Sequence, residues 1–181
     1  MSEIGKRDNE IEARFLVRGD SWRSKGTAVE IYQGYLSTEK QRVLRIRLKG
    51  DKATFTVKGE STGLEQDEYE FTLNNPEEAK AVIMKFSQGS PIEKIRHTIQ
   101  VGEFGWEIDE FKGANAGLVI AEVELSRTDD KKRMEKSKPK WVGKEITEDW
   151  KYRNNRLAER PFYTWSAKEQ RDMLRHAESN T

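Results

Sequence analysis

The chain has 181 residues, enough to bury a core without covalent or metal staples, and its lack of cysteine excludes disulfides and thiolate-bound metals. Charged residues reach 36% against 34% apolar, yet 33 basic and 32 acidic side chains nearly cancel to +1, a balance that disfavours a general nucleic-acid binder. No apolar run approaches the ~20 residues needed to span a bilayer and no secretory apolar segment stands at the N-terminus, so a soluble, cytoplasmic protein without membrane or nucleic-acid partners is expected. So much charge leans toward disorder. Five Trp, seven Phe and five Tyr spread through regularly alternating sequence argue instead for one folded domain over 1–181.

Strand-like alternation is read at 8–18, 28–37, 42–49, 52–59, 65–73, 92–101, 104–112 and 117–126. Lys49-Gly50-Asp51-Lys52 and Gly102-Glu103-Phe104-Gly105 suit tight hairpins, so the sheet is expected to be mostly antiparallel. Between the fifth and sixth strands, Asn75 can cap a helix with Pro76 in its first turn and Glu77 and Glu78 at its positive end. Ala79, Val82, Ile83 and Phe86 form its apolar stripe, and Gly89-Ser90-Pro91 stops it. A polar helix is expected over roughly 127–137, another helix near Glu148, and a last one over about 167–177, opened by the capping box Ser166-x-x-Glu169. The fold class is α+β.

Five of the strand-like segments read acid-x-acid or base-x-base: Glu10-Ile11-Glu12, Arg45-Ile46-Arg47, Glu68-Tyr69-Glu70, Lys94-Ile95-Arg96 and Glu122-Val123-Glu124. Successive strand side chains point to opposite faces, so both charges of each segment share one face. Arg14, Lys58, Glu107 and Asp109 extend the pattern. Burying a dozen ionised groups is prohibitive unless they are paired, solvated or bound to ions. Two architectures satisfy this: an open sheet with its charged face in water, or an eight-stranded closed barrel whose lumen carries the charges and holds one small ligand. Clustered carboxylates suit an oxygen-preferring divalent cation such as Mg2+ or Mn2+, and Arg forks match phosphate oxygens. A lumen with both sets fits a polyphosphate with its metal.

Isolated features read more simply. His97 alternates onto the apolar face and is expected to pack; His176 lies near a helix C-terminus, where it complements the dipole. The run Lys131-Lys132-Arg133-Met134-Glu135-Lys136-Ser137-Lys138 follows two aspartates and is read as a solvated helix. The Trp residues are expected to pack outside the barrel, with Trp150 and Trp165 near a mouth.

Glu10-Ile11-Glu12-Ala13-Arg14-Phe15-Leu16-Val17 resembles the N-terminal ExExK signature of the triphosphate tunnel metalloenzymes, the CYTH superfamily, and particularly its short bacterial inorganic triphosphatases. The likeness continues in order through Gln33-Gly34-Tyr35-Leu36-Ser37, Arg45-Ile46-Arg47-Leu48, Thr56-Val57-Lys58-Gly59, Glu68-Tyr69-Glu70 and Ile92-Glu93-Lys94-Ile95-Arg96. Trp106-Glu107-Ile108-Asp109, Gly117 to Glu124, Trp141 to Thr147 and Tyr152 to Leu157 complete it, over about residues 8–160.

This resemblance implies an eight-stranded antiparallel closed β-barrel, with helices packed outside and a C-terminal helical segment near one mouth. It implies metal-dependent hydrolysis of a small triphosphate, foremost tripolyphosphate to pyrophosphate and phosphate. Glu10, Glu12, Glu122 and Glu124 would be metal ligands for Mg2+ or Mn2+, and Glu68, Glu70, Glu107 and Asp109 supporting acids. Arg14, Arg45, Arg47, Lys58, Arg96, Lys151 and Arg153 would hold phosphates; Lys94, Glu12 and Arg14 would serve catalysis, Lys94 by helping to activate water. Where the family carries Lys, this chain has Arg14, a planar fork in place of a point charge. A class IV type adenylate cyclase, a nucleoside or thiamine triphosphatase, and a non-catalytic polyphosphate-binding module are the alternatives; a homodimer is left open.

Overall fold

A computed structural model describes residues 11–39, 41–59, 68–125 and 129–178, excepting the side chains at 11, 176 and 178. The strands are β1 (Ile11–Val17), β2 (Thr27–Glu39), β3 (Arg42–Lys49), β4 (Lys52–Gly59), β5 (Glu68–Leu73), β6 (Ile92–Val101), β7 (Phe104–Phe111), β8 (Val119–Leu125) and β9 (Val142–Glu145). The helices are α1 (Pro76–Phe86), α2 (Asp130–Ser137), α3 (Asn154–Glu159) and α4 (Ala167–Glu178). The helix expected near Glu148 is in fact a 3₁₀ turn at Trp150–Tyr152 followed by α3.

All nine strands form one sheet in the order β5-β4-β3-β2-β6-β7-β8-β1-β9, every neighbouring pair antiparallel. The expected eight-stranded closed barrel is therefore corrected to an open sheet. The physical reason lies in β9, which pairs Glu145 with Phe15 and Val142 with Val17 and so fills the edge of β1 that closure would have to join to β5. On the charged face of the sheet Arg96 on β6 reaches past β7 to Glu122 on β8 at 2.8 Å.

The opposite face carries the core. Phe15, Ile99, Phe104, Trp106, Ile108, Val123 and Leu125 pack with Trp22, Met134 of α2, and Trp141. Trp106 lies 5.7 Å from Phe15 and 5.4 Å from Trp141, ring to ring. Farther along this face α1 covers Ile46 and Ala53 with Ala79 and Ile83. Asn75 caps α1 as expected, accepting from the Glu78 N–H at 3.2 Å. Phe86, assigned to the buried stripe, instead stands 58% exposed. Gly34 explains this: a Cβ there would lie 1.9 Å from Ser87 Oγ and 2.7 Å from Ile83, so the last turn seats on bare β2 backbone and turns Phe86 outward.

At one end of the charged face the charges stop. Leu16, Tyr35, Ile92, Phe111 and Ile120 meet Tyr152, Leu157, Phe162, Trp165 and Met173 in a second apolar cluster, so the C-terminal segment fills that end. Buried Asn115 ties the segment down: its Oδ1 accepts from the Phe162 N–H at 2.8 Å and its Nδ2 donates to the Leu157 carbonyl at 3.4 Å. The capping box opening α4 forms, Ser166 Oγ accepting from the Glu169 N–H and Glu169 from the Ser166 N–H. His97 packs edge-on against Trp22 at 4.9 Å, as expected of a residue on the apolar face. Asn115→Ala leaves the Phe162 N–H buried and unpaired, so urea unfolding should show a loss of about 1–3 kcal/mol; an unchanged midpoint would show that the clamp contributes nothing.

Candidate active site

Cross-strand partners share a face, so the register assembles the charged rows. On β1 and β8, Glu12 stands opposite Glu124 and Arg14 opposite Glu122. Glu122 in turn faces Glu107 across β7, and Asp109 faces Arg96 across β6. On the other side Gln33 faces Arg47 and Tyr35 faces Arg45, then Arg45 faces Thr56, Thr56 faces Glu70, and Lys58 faces Glu68. Carboxylates thus concentrate on β1, β8 and β7, while cations prevail on β6, β3 and β4.

These groups are tightly bonded to one another. Arg96 donates through Nε to Asp109 Oδ1 at 2.7 Å and through Nη2 to Asp109 Oδ2 at 2.7 Å and Glu122 Oε2 at 2.8 Å, with Nη1 on Glu107. Lys94 Nζ, buried, donates to Asp109. Arg14 lies between two acids, its Nη2 2.5 Å from Glu12 Oε2 and its Nε 3.1 Å from Glu122 Oε1. Lys58 pairs with Glu68 at 2.8 Å. Arg45 donates to Thr56 Oγ at 3.0 Å, with Glu70 at 3.9 Å, and Arg47 Nε donates to Gln33 Oε1 at 2.8 Å.

The burial of these charges moves their proton affinities. Desolvation, then the neighbouring Glu122 carboxylate, push the Glu12 carboxyl up to about 7 despite Arg14. Burial would raise Asp109 too, but Lys94 and Arg96 outweigh it and hold that carboxyl below the usual range. Lys94 is pushed down by burial and by Arg96, against the pull of Asp109. Burial lowers Arg47 to about 10, aided by repulsion from Arg45 and Arg96.

The structure therefore brings together Glu12, Arg14, Arg45, Arg47, Lys58, Glu68, Glu70, Lys94, Arg96, Glu107, Asp109, Glu122 and Glu124 on one face. Glu10 lies outside the described residues. Lys151 and Arg153 stand apart, in the C-terminal segment: Lys151 is 3.3 Å from Asp149 and covers the rings of Tyr152 and Trp165. Trp165 is buried against Tyr152 and Phe162, while Trp150 is exposed beneath Arg156. Sequence reasoning missed Gln33, Tyr35 and Thr56 as members of the site. The first two alternate in phase with Arg47 and Arg45 through the hairpin pairing, which is the signal that could have found them.

An oxygen-preferring divalent cation fits the acid-rich side. Glu12 opposite Glu124 and Glu107 opposite Glu122 are like-charge cross-strand pairs, which a cation would stabilise, and the raised Glu12 shows that Arg14 compensates the acids incompletely. Among the described residues no three carboxylates or imidazoles converge on a single point, and Arg14 occupies the space between Glu12 and Glu122. Such a face, acids set against guanidinium and ammonium groups, is built to take a polyanion together with a hard cation.

That class of site agrees with what the chain resembles. Residues 8–160 match the CYTH domain family, to which the chain belongs. A curated inorganic triphosphatase of Acetivibrio thermocellus is 41% identical over 153 residues, 84% of this chain and 95% of that protein. One from Nitrosomonas europaea is 33% identical, over 82% of this chain and 96% of its own length. A crystal structure of an inorganic triphosphatase superposes with a TM-score of 0.66 at 31% identity, covering 86% of this chain and 97% of the other.

Folded Glu12 keeps its proton up to about 7, whereas the unfolded carboxyl loses it near 4.5. The folded state binds more protons in that window, so this contribution to stability is complete below about 4.5 and is lost as pH rises through about 7. Asp109 acts in the opposite sense, its contribution being lost in acid as pH falls below the ordinary 3.8. In chelator-treated protein, the urea midpoint of Glu12→Gln should lack the decline between mildly acidic and neutral pH and keep the acid limb. Superimposable wild-type and variant profiles would contradict the assignment.

Proposed function

We propose that the protein is a metal-dependent triphosphatase that cleaves inorganic tripolyphosphate to pyrophosphate and phosphate. The observation that carries this reading is the division of one sheet face into an acid-rich side and a side where Arg45 and Arg47 are held by neutral groups, Thr56 and Gln33. The sequence likeness to the two inorganic triphosphatases supports the same reading.

Glu12, Glu122 and Glu124, with Glu10, would hold the cation, either Mg2+ or Mn2+. When bound, the metal supplies charge neutralisation on phosphate oxygens and orders them. Arg45, Arg47, Lys58 and Arg96 bind the phosphate chain and offset the charge that builds on its equatorial oxygens. Water attacks the terminal phosphorus; a new P–O bond forms, the bridging P–O bond breaks, pyrophosphate departs, and the proton that the water gives up leaves on a phosphate oxygen or to solvent. Lys94, fixed by Asp109, orients that water. Glu68, Glu70, Glu107 and Asp109 hold the cations in place. Arg14 both tethers the acid pair and presents a donor toward the substrate. Lys151 and Arg153 act at the filled end of the face, where they can close on substrate only by movement of the C-terminal segment. Among the described residues no base-reading set accompanies the phosphate-binding side chains, which favours tripolyphosphate over a nucleotide.

Phosphate, pyrophosphate and cyclic AMP should be measured after incubation with Mg2+ or Mn2+ and, in turn, tripolyphosphate, ATP and thiamine triphosphate. Phosphate release from tripolyphosphate is expected to be fastest. Cyclic AMP and pyrophosphate from ATP, or tight binding without product, would overturn the proposal in favour of a cyclase or a binding module. Glu12→Gln should cut metal-dependent turnover by about 100-fold, and undiminished turnover in the folded variant would refute the metal-ligand role.

A further inference from the structure

The cations of the charged face fall into two groups by their partners. Arg14, Lys58, Lys94 and Arg96 each lie on a carboxylate. Arg45 and Arg47 do not: the first donates to a threonine hydroxyl with Glu70 only at 3.9 Å, and the second donates to the side-chain carbonyl of Gln33 at 2.8 Å. Gln33 is fully buried and Tyr35 nearly so. With Oε1 committed to Arg47 Nε, the Gln33 amide must turn Nε2 the other way, where it donates to the Tyr35 hydroxyl at 3.1 Å. Arg45 stands opposite Tyr35 in the β2–β3 register, as Arg47 stands opposite Gln33. One neutral amide–phenol pair therefore faces both guanidiniums.

The neutrality matters. A carboxylate in place of Gln33 would fix Arg47 equally well but would cancel its charge and compete with an anionic ligand. An amide oxygen fixes the Nε side of the fork and leaves the charge uncancelled, at the expense of burying a cation beside two others. Arg47 shows that expense, pushed down to about 10 by burial, Arg45 and Arg96. Arg45 Nε is buried with no hydrogen-bond partner among the described residues, a donor left open on the charged face.

We propose that Gln33 and Tyr35 are positioning residues that hold Arg45 and Arg47 oriented and fully charged for the phosphate chain, and thereby set affinity for the polyanion. The proposal rests on the triphosphatase reading. Gln33→Glu keeps the shape and gives Arg47 a carboxylate; Tyr35→Phe keeps the ring and removes the hydroxyl. Steady-state hydrolysis of tripolyphosphate with Mg2+ should show KM raised about tenfold or more in Gln33→Glu, with kcat changing less and the melting temperature not reduced. Tyr35→Phe should raise KM in the same direction by a smaller factor. A merely structural role would lower the melting temperature and leave KM alone. If Gln33→Glu does not fold, Tyr35→Phe and Gln33→Met decide by the same criterion. Wild-type activity with KM within twofold in folded variants overturns this inference alone. Wild-type protein that releases no phosphate from tripolyphosphate overturns the triphosphatase reading and this inference with it.

Discussion

On the charged face the Arg96 guanidinium donates to Asp109, Glu107 and Glu122 together, and Lys94, Arg14 and Glu12 are joined to it through those acids. Asp109 stays ionised in a buried place because Arg96 and Lys94 both bind it. Glu122 passes the chain on to Arg14, and Arg14 to Glu12, so the bonds run without a break from β6 through β7 and β8 to β1. Removing one member of such a network strands a desolvated charge, which costs about 3–5 kcal/mol. A sheet face of this kind is stable only when both signs are present in nearly matched numbers.

Compensation is complete on one side and deliberately partial on the other. Around Arg96 nearly every donor has its acceptor. Around Arg45 and Arg47 the acceptors are the Thr56 hydroxyl and the Gln33 amide, which itself donates to the Tyr35 phenol. Preorganised, incompletely neutralised donors in a water-poor site favour an incoming anion without reorganisation when it arrives. The apolar cluster of Tyr35, Phe111, Tyr152 and Phe162 contributes by filling one end of the face and keeping water from it.

The period-two alternation of charge was legible because it is local: Glu122-Val123-Glu124 cannot be a strand without placing both acids on one side. The α1 cap at Asn75 and the capping box at Ser166 and Glu169 were legible for the same reason. What escaped depends on tertiary context. Val142-Gly143-Lys144-Glu145 is four residues without alternation, and only the free edge of β1 makes it a strand. That short strand changes a closed barrel into an open sheet. Phe86 fits a helical stripe by spacing, yet the close approach at Gly34 turns it outward. Gln33 and Tyr35 carry no charge, so a reading that followed charges passed over the pair that faces two arginines.

Arg14 gains meaning from the same geometry. Its fork spans two acids, Nη2 on Glu12 at 2.5 Å and Nε on Glu122 at 3.1 Å, a separation of donors that the single ammonium of the family's lysine lacks. The fork thus ties two crowded carboxylates to one counter-charge. It does not satisfy them: with Arg14 in place, desolvation and Glu122 still push Glu12 up to about 7. Among the described residues the acid-rich side therefore keeps Glu12 and Glu122 close together with Arg14 between them, and the same two carboxylates hold the Arg14 proton above its ordinary range.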